Sequence, residues 1–580
     1  MGTSLSEQFP PHVLREYALI ADGERGALLG PRGDIAWMCV PRWHDDAVFS
    51  TLLGGGGVYS VSPEDPRTVW GGQYEPGSLI WRGRWITTDS IIECRNALAM
   101  PADPRCAILL RRVYAALGEA RVRIHLDVHA CFGRNDMTDV KYDSGVWTAT
   151  SGPLHLRITG LDDAVLTDDG FLEAVVAIEE GDHRDLTLEI GDYAPVEAPV
   201  DPQFMWDATE HAWADAVPDL TDTLTPADAR QAYAVLHGMT SATGGMVAAA
   251  TTSLPERAKG SGNYDYRYVW IRDQCIVGQA IAACGAYPLL GDAVRFVSAR
   301  LLSDGDRLAP AYTVTGGPVP DERHIGLPGY PGGSDKVGNG ASDQFQLGVF
   351  GEALLLFAAA AGRDMLDADG WRAVDVCIEA VNRHWTEPDS GIWELGSARW
   401  AHSRLNCAAG LRAIAAYADA GKGAGLHARA DEIVANVGAD CLHPEGRWQR
   451  SPDDPRVDAS LLLPILRGAL NADDPRSVAT VEAIRRDLGR DGYIYRFSQD
   501  ARDLADAEGA FLMCGFDMAM VLNQIGKGDE ALRHFDRNRD ACGSPGLFTE
   551  EYDIGQRQLR GNLPQAFVHG ALLEAAKRLA

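Results

Sequence analysis

Two glutamates on separate loops offer the reactive chemistry of this sequence. Glu394 stands in Gly391-Ile392-Trp393-Glu394, after the turn signal Glu387-Pro388-Asp389-Ser390-Gly391. A carboxyl flanked by Trp and Ile is partly withdrawn from water, which favours its neutral form and suits a general acid. The plainer alternative is a glutamate that satisfies a turn or pairs with an arginine. Glu550 opens Glu550-Glu551-Tyr552-Asp553, where carboxylates crowd and repel one another. A general base needs only to be ionised and to hold a water. The plainer alternative here is a charged surface loop. Two such groups meeting over a sugar would supply glycoside hydrolysis, one carboxyl for the leaving oxygen and a second opposite it. If the second activates water, the pair stands about 6.5–9.5 Å apart and the anomeric configuration inverts.

The sugar pocket itself is suggested by Gly262-Asn263-Tyr264-Asp265-Tyr266-Arg267-Tyr268-Val269-Trp270-Ile271-Arg272-Asp273. Aromatic faces such as Tyr266 and Trp270 cover the apolar C–H face of a pyranose. Arg272 beside Asp273 supplies fixed donors and acceptors for its hydroxyls. The competing reading is a loop closing onto a helix, with an Asp capping free N–H groups. Downstream, Ile276, Val277, Ala280 and Ile281 recur at helical spacing.

Composition narrows the classes. A formal charge of -29, from 53 basic and 82 acidic residues, disfavours nucleic acid and anionic membrane surfaces as partners. It favours a neutral or cationic small molecule. No run of about 18 apolar residues suggests a membrane span, and Met1 to Pro11 lacks a secretory pattern. Eleven cysteines without CxxC pairs read as reduced thiols of a cytoplasmic protein. No HExxH or similar pattern calls for a metal, and self-association stays open.

The elements that must position these residues fall into two blocks. Residues 1–215 read as β structure: Val122 to Val128, Leu154 to Ile158 and Leu186 to Ile190 alternate apolar and polar residues, with turn residues between. Many short strands suggest an antiparallel β-sandwich. A proline-punctuated link covers 216–226, with Ala208 to Ala216 a short helix before it. Residues 227–580 then show about twelve helical segments, with a capping Thr225 and Pro226 opening the first. Twelve helices in hairpin pairs can close as six inner and six outer, an (α/α)6 barrel, with the polar and aromatic residues gathered at one end. The segment near 457–469 is expected as one of the helices.

The chain resembles glycoside hydrolase family 15, the glucoamylases, glucodextranases and bacterial trehalases, over nearly its whole length. The resemblance runs through Tyr17-Ala-Leu-Ile-Ala-Asp22, the Asn263 to Asp273 stretch, Leu327-Pro-Gly-Tyr330, Gln344-Phe-Gln-Leu347, Gly391-Ile-Trp-Glu394, Ile494-Tyr-Arg496, Glu508-Gly-Ala-Phe-Leu512, Glu550-Glu-Tyr-Asp553 and Asn562-Leu-Pro-Gln-Ala-Phe567. It implies an N-terminal β-sandwich and a C-terminal (α/α)6 barrel. It further implies Glu394 as general acid and Glu550 as general base, with Glu551 as the rival base. Arg272 and Asp273 would grip the non-reducing-end glucose, Tyr266 and Trp270 would line that subsite, and Trp393 and Arg496 would border the next. Three departures stand out: Arg404-Leu-Asn-Cys-Ala408, Gly348 and Ala507 replace residues common in the family. They bear on substrate identity more than on reaction type.

The resulting expectation is an exo-acting, inverting α-glucoside hydrolase that needs no cofactor. It would release β-glucose from the non-reducing end of an α-glucooligosaccharide. The alternative is an α,α-trehalase, and behind both stands a catalytically weak carbohydrate-binding protein.

Overall fold

The computed structural model describes residues 5–195, 197–257, 262–499 and 504–580. Met1 to Ser4, part of the stretch read for a leader, lie outside the described residues. The N-terminal part is antiparallel sheet. Its largest sheet has eight strands in the order Met137–Asp143, Val146–Ser151, Leu154–Thr159, His183–Gly191, Cys106–Leu117, Ile91–Leu98, Trp81–Ile86 and Val69–Tyr74. A four-stranded sheet is centred on Ala120–Asp127, which pairs with Leu172–Ile178 and Val58–Pro63. The alternation in sequence matches the burial: Val122, Ile124 and Leu126 are buried, while the residues between them are not. The two sheets share one apolar core that includes Trp81, Trp85, Val113, Ile124, Leu156 and Leu188. A third sheet, Ala18–Ala21, Gly26–Leu29, Ile35–Cys39 and Ala47–Phe49, runs as a meander.

The linking helix is Pro202–Ala216, longer than its expected start at Ala208. Asp201 caps it by accepting from the Phe204 N–H at 2.9 Å. Among the described residues, twelve helices of five residues or more follow: α1 (Pro226–Gly238), α2 (Ile271–Cys284), α3 (Pro288–Asp304), α4 (Gly348–Ala361), α5 (Ala368–His384), α6 (Ala401–Ala415), α7 (Ala420–Asp440), α8 (Leu462–Leu466), α9 (Pro475–Leu488), α10 (Leu512–Gln524), α11 (Gly528–Arg539) and α12 (Ala566–Arg578). The even-numbered helices pack in a closed ring, α2 on α4, then α6, α8, α10 and α12, which returns to α2. The odd-numbered helices lie outside them, α1 on α12, α3 on α2, α5 on α4, α7 on α6 and α11 on α10. Ring helix α4 is buried on nearly every side, as a helix enclosed by others must be.

Three local expectations change. The helix expected at 457–469 is a 3-10 turn, Ala459–Leu461, and then the five-residue α8; Pro464 lies within it, and Gly468 at positive φ follows. Thr225 does precede α1, but its hydroxyl makes no capping hydrogen bond. Asp273 is not a cap either: it lies inside the first turn of α2, with Trp270 at the N-cap. Among the described residues no helix is long and apolar enough to cross a membrane.

Candidate active site

Every loop that enters a ring helix from an outer one delivers side chains to the same end of the ring. There they line a cavity of about 570 Å3. Tyr266 and Trp270 come from the approach to α2 and Arg272 from its first turn, Asn339 and Gln344 from the approach to α4, and Trp393 and Glu394 from that to α6. Arg450 precedes α8, Arg496 and Phe497 precede α10, and Glu550 and Gln565 precede α12. All eight site residues expected from sequence line this cavity.

The loop bearing Glu394 is tied down by Asp389. One oxygen of this buried carboxylate accepts from the Gly391 N–H at 3.0 Å, the Leu347 N–H at 3.1 Å and the Ser403 hydroxyl at 2.9 Å. The chain then turns through Gly391 at φ +70°, where a Cβ would stand 2.7 Å from Trp400. Glu394 itself lies at φ +54°, a left-handed conformation that costs a non-glycine residue energy and marks a site held in place by its surroundings. Three donors converge on Glu394 Oε1: Trp270 Nε1 at 2.9 Å, Gln346 Nε2 at 3.2 Å and Arg272 Nη2 at 3.4 Å.

Glu550 is 5% exposed. It accepts from the Tyr266 hydroxyl at 3.2 Å. Burial pushes its pKa up to about 6, against the pull of Arg496 and of the Tyr266 hydrogen bond. Its neighbour Glu551 begins a short strand and turns the other way, accepting from the Gly509 N–H at 2.8 Å and Arg496 at 3.2 Å. The strand period thus separates the two candidates for the base. Among the described residues no hydrogen bond or ion pair joins Glu394 to Glu550. They are connected through Tyr266 and Trp270, whose rings meet edge to face at 5.5 Å.

Beside them Arg272 pairs with Asp273 at 3.6 Å. Asp273 is 2% exposed, and its Oδ1 has no hydrogen-bond partner among the described residues. Burial raises its pKa to about 7, with Arg272 opposing. Asp273 Oδ1 is the oxygen that faces Arg272 Nε, so the two residues line the cavity as a charged pair. Tyr264 and Tyr266 stack at 6.5 Å as a short aromatic wall. Across the cavity Arg496 pairs with Glu508 at 2.7 Å and lies over Phe511 and Trp393. Trp393 donates to Asp458 at 2.8 Å.

Sequence reasoning assigned no role to Glu256, Arg450 or Gln346, which also line or support the cavity. Glu256 is 8% exposed, and the Tyr266 hydroxyl lies 3.4 Å from its Oε1. It follows Leu254-Pro255 outside any periodic pattern, so the sequence carries no signal for it. Among the described residues no cluster of three His, Cys, Asp or Glu side chains could hold a metal ion.

Known proteins resemble this chain in both of its parts. Residues 229–577 match the family Glycosyl hydrolases family 15, and residues 7–213 match Trehalase-like, N-terminal. The chain is 30% identical to a trehalase of Mycolicibacterium smegmatis, over 99% of this chain and 92% of that one. It is 28% identical to an isomaltose glucohydrolase of Kribbella flavida, over 56% of this chain and 82% of the other. A bacterial glucoamylase solved with acarbose superposes with a TM-score of 0.69, covering 98% of this chain and 96% of its own at 14% identity. That last likeness shows the fold: an N-terminal sheet domain and a helical C-terminal domain.

Proposed function

The chain belongs to glycoside hydrolase family 15, and from that premise we propose that it is an inverting α,α-trehalase. The observation that carries the reaction is the pair of loop glutamates, Glu394 and Glu550, on one cavity with the Arg272–Asp273 pair. The full-length likeness to trehalases carries the choice of substrate. In this reading Arg272 and Asp273 hold the hydroxyls of one glucose. Tyr266 and Trp270 cover its ring, and Trp393 and Arg496 border the second glucose. Three donors on Glu394 Oε1 leave Oε2 to carry the proton that the glycosidic oxygen takes. Glu550, ionised, takes a proton from a water on the opposite face, and that water's oxygen bonds to C1 as the C1–O bond breaks. Inversion at one glucose releases it as the β anomer, while the departing glucose keeps its α configuration.

A second reading is exo-hydrolysis of an α-glucooligosaccharide such as isomaltose, supported by the Kribbella flavida relative. The closed ring of α2, α4, α6, α8, α10 and α12 supports an (α/α)6 barrel. We place the sheet domain at 1–215, the link at 216–226 and the barrel at 227–580. The eleven free thiols, most of them buried, support a reducing, cytoplasmic setting.

The test is glucose release from trehalose, maltose, isomaltose and panose, with the anomers followed by proton NMR. Equal initial α- and β-glucose from trehalose, with little from the others, is the expected result. Preferential β-glucose release from maltose or isomaltose would select the second reading. Turnover of none would refute both.

A further inference from the structure

We propose that Glu256 is a positioning residue that holds the Tyr266 hydroxyl hydrogen on Glu550. The inference rests on the reading of Glu550 as the base. The Tyr266 oxygen lies 3.2 Å from Glu550 Oε2 and 3.4 Å from Glu256 Oε1. A phenol has one hydrogen to give and lone pairs to receive. It cannot donate to two carboxylates at once, so with both ionised one would face a lone pair. With a proton on Glu256 the contacts form one chain: Glu256 donates to the Tyr266 oxygen, and Tyr266 donates to Glu550.

The surroundings favour that order. Glu256 is buried, and the carboxyls of Glu550, Glu508 and Glu551 and the phenols of Tyr264 and Tyr266 act on or beside it. Among the described residues Arg496 is a cation that acts on it, and that guanidinium is already engaged by Glu508 at 2.7 Å and Glu551 at 3.2 Å. Burial first, then Glu550, push Glu256 up to about 8, whereas Glu550 reaches about 6. Glu256 therefore keeps its proton over the range in which the base has lost its own. The backbone is shaped around this carboxyl: a Cβ on Gly262 would stand 2.8 Å from Glu256 Oε2, at a φ of +114°.

A double-mutant cycle on kcat for trehalose, or for whichever α-glucoside the enzyme cleaves best, tests the proposal. Glu256→Gln keeps an N–H donor toward Tyr266 and is expected to retain kcat within about threefold. Glu256→Leu is expected to lose about tenfold, the rate equivalent of one misdirected hydrogen bond. Once Tyr266→Phe has removed the hydroxyl, adding Glu256→Leu should cost nothing more. Independent, multiplying losses, or a Gln variant as slow as the Leu variant, would overturn it. A second readout is the titration of Glu550 followed by NMR on labelled glutamate, which needs neither turnover nor the Leu variant to fold. Tyr266→Phe should raise that pKa and Glu256→Gln should leave it in place, one neutral group replacing another. A downward shift in Glu256→Gln would mean an ionised Glu256 and refute the proposal. A wild-type protein that cleaves no α-glucoside refutes the functional reading instead, and the titration still decides the hydrogen-bond order.

Discussion

At the scale of single residues, the two proposed catalytic carboxyls differ in what surrounds them. Glu394 has three donors on one oxygen and a quarter of its side chain exposed, whereas Glu550 is almost wholly buried against one phenol. An acid that protonates a leaving group matters only when that group needs a proton. Glu394→Gln should therefore lower kcat on trehalose by about 10²–10⁴-fold and spare α-glucosyl fluoride, since fluoride departs unprotonated. Equal loss on both substrates would remove Glu394 from the acid role. The base sets the opposite condition. Glu550 must be ionised, so kcat/KM should fall as pH drops through about 6. Tyr266→Phe removes a donor that favours the charged form and should move that limb upward; a pH–rate profile measures both. Glu394, Glu550, Arg272 and Asp273 were legible because each sits in a sequence motif dense with polar and aromatic residues. Glu256 was not, because its meeting with Glu550 exists only once α2 and α12 are neighbours.

At the scale of elements, the helices were legible because their apolar residues recur at the helical period, and α5 and α11 keep a polar outer face that makes the period plain. The shortness of α8 was not, since an apolar run such as Leu461 to Leu466 reads alike as helix or turn. The ring also conceals polar groups. Arg467, just after α8, pairs with Glu574 of α12 at 2.7 Å, and their side chains are only 6% and 1% exposed. Burial opposes ionisation of Glu574, but Arg467 and Arg578 pull it down to about 2. Asp517 of α10 lies in the same field, and burial raises it to about 8, with Arg467 opposing. Glu574→Gln leaves Arg467 buried without its counter-charge and should destabilise the fold by roughly 3–5 kcal/mol. Asp517→Asn should act in the opposite sense, with a pH signature. An acid whose folded pKa is raised binds more protons folded than unfolded, so its stabilising effect is full below the unfolded pKa, near 4, and is lost as pH rises to about 8. The Asn variant should thus gain thermal stability relative to the parent between pH 4 and 8. A constant difference across that range would show that Asp517 does not titrate there.

At the scale of the whole molecule, the sheet domain supports the cavity with none of its described residues lining it. The side chains of residues 264–267, where Asp265 bridges to Thr252, alternate in direction. Tyr264 and Tyr266 face the cavity, while Asp265 and Arg267 face the sheets. Arg267 binds Asp265 through two hydrogen bonds, at 2.9 and 2.7 Å, and donates to the Asp45 carbonyl at 2.8 Å. Its guanidinium stands 5.8 Å from the ring centres of both Trp37 and Phe132. Asp265 in turn accepts from the Gly338 N–H at 2.9 Å, tying in the loop before α4. None of this docking was legible in sequence, because Arg267 reads there as one more polar residue of a sugar-binding stretch. Its consequence is that the N-terminal domain fixes the backbone carrying Tyr266 and, through it, Trp270 and Arg272. Arg267→Met strands Asp265 without its cation, at a cost of roughly 3–5 kcal/mol. Arg267→Lys keeps the charge but not the planar fork that spans Asp265 and Asp45. If the sheet domain positions the cavity, Arg267→Lys should weaken glucose binding in calorimetry by about tenfold, the equivalent of one or two lost hydrogen bonds. A fall in melting temperature with glucose affinity unchanged would reduce the domain to a stabiliser. A joint fall would make the cavity a property of both domains, built on one ring of helices but aimed by the sheets packed beside it.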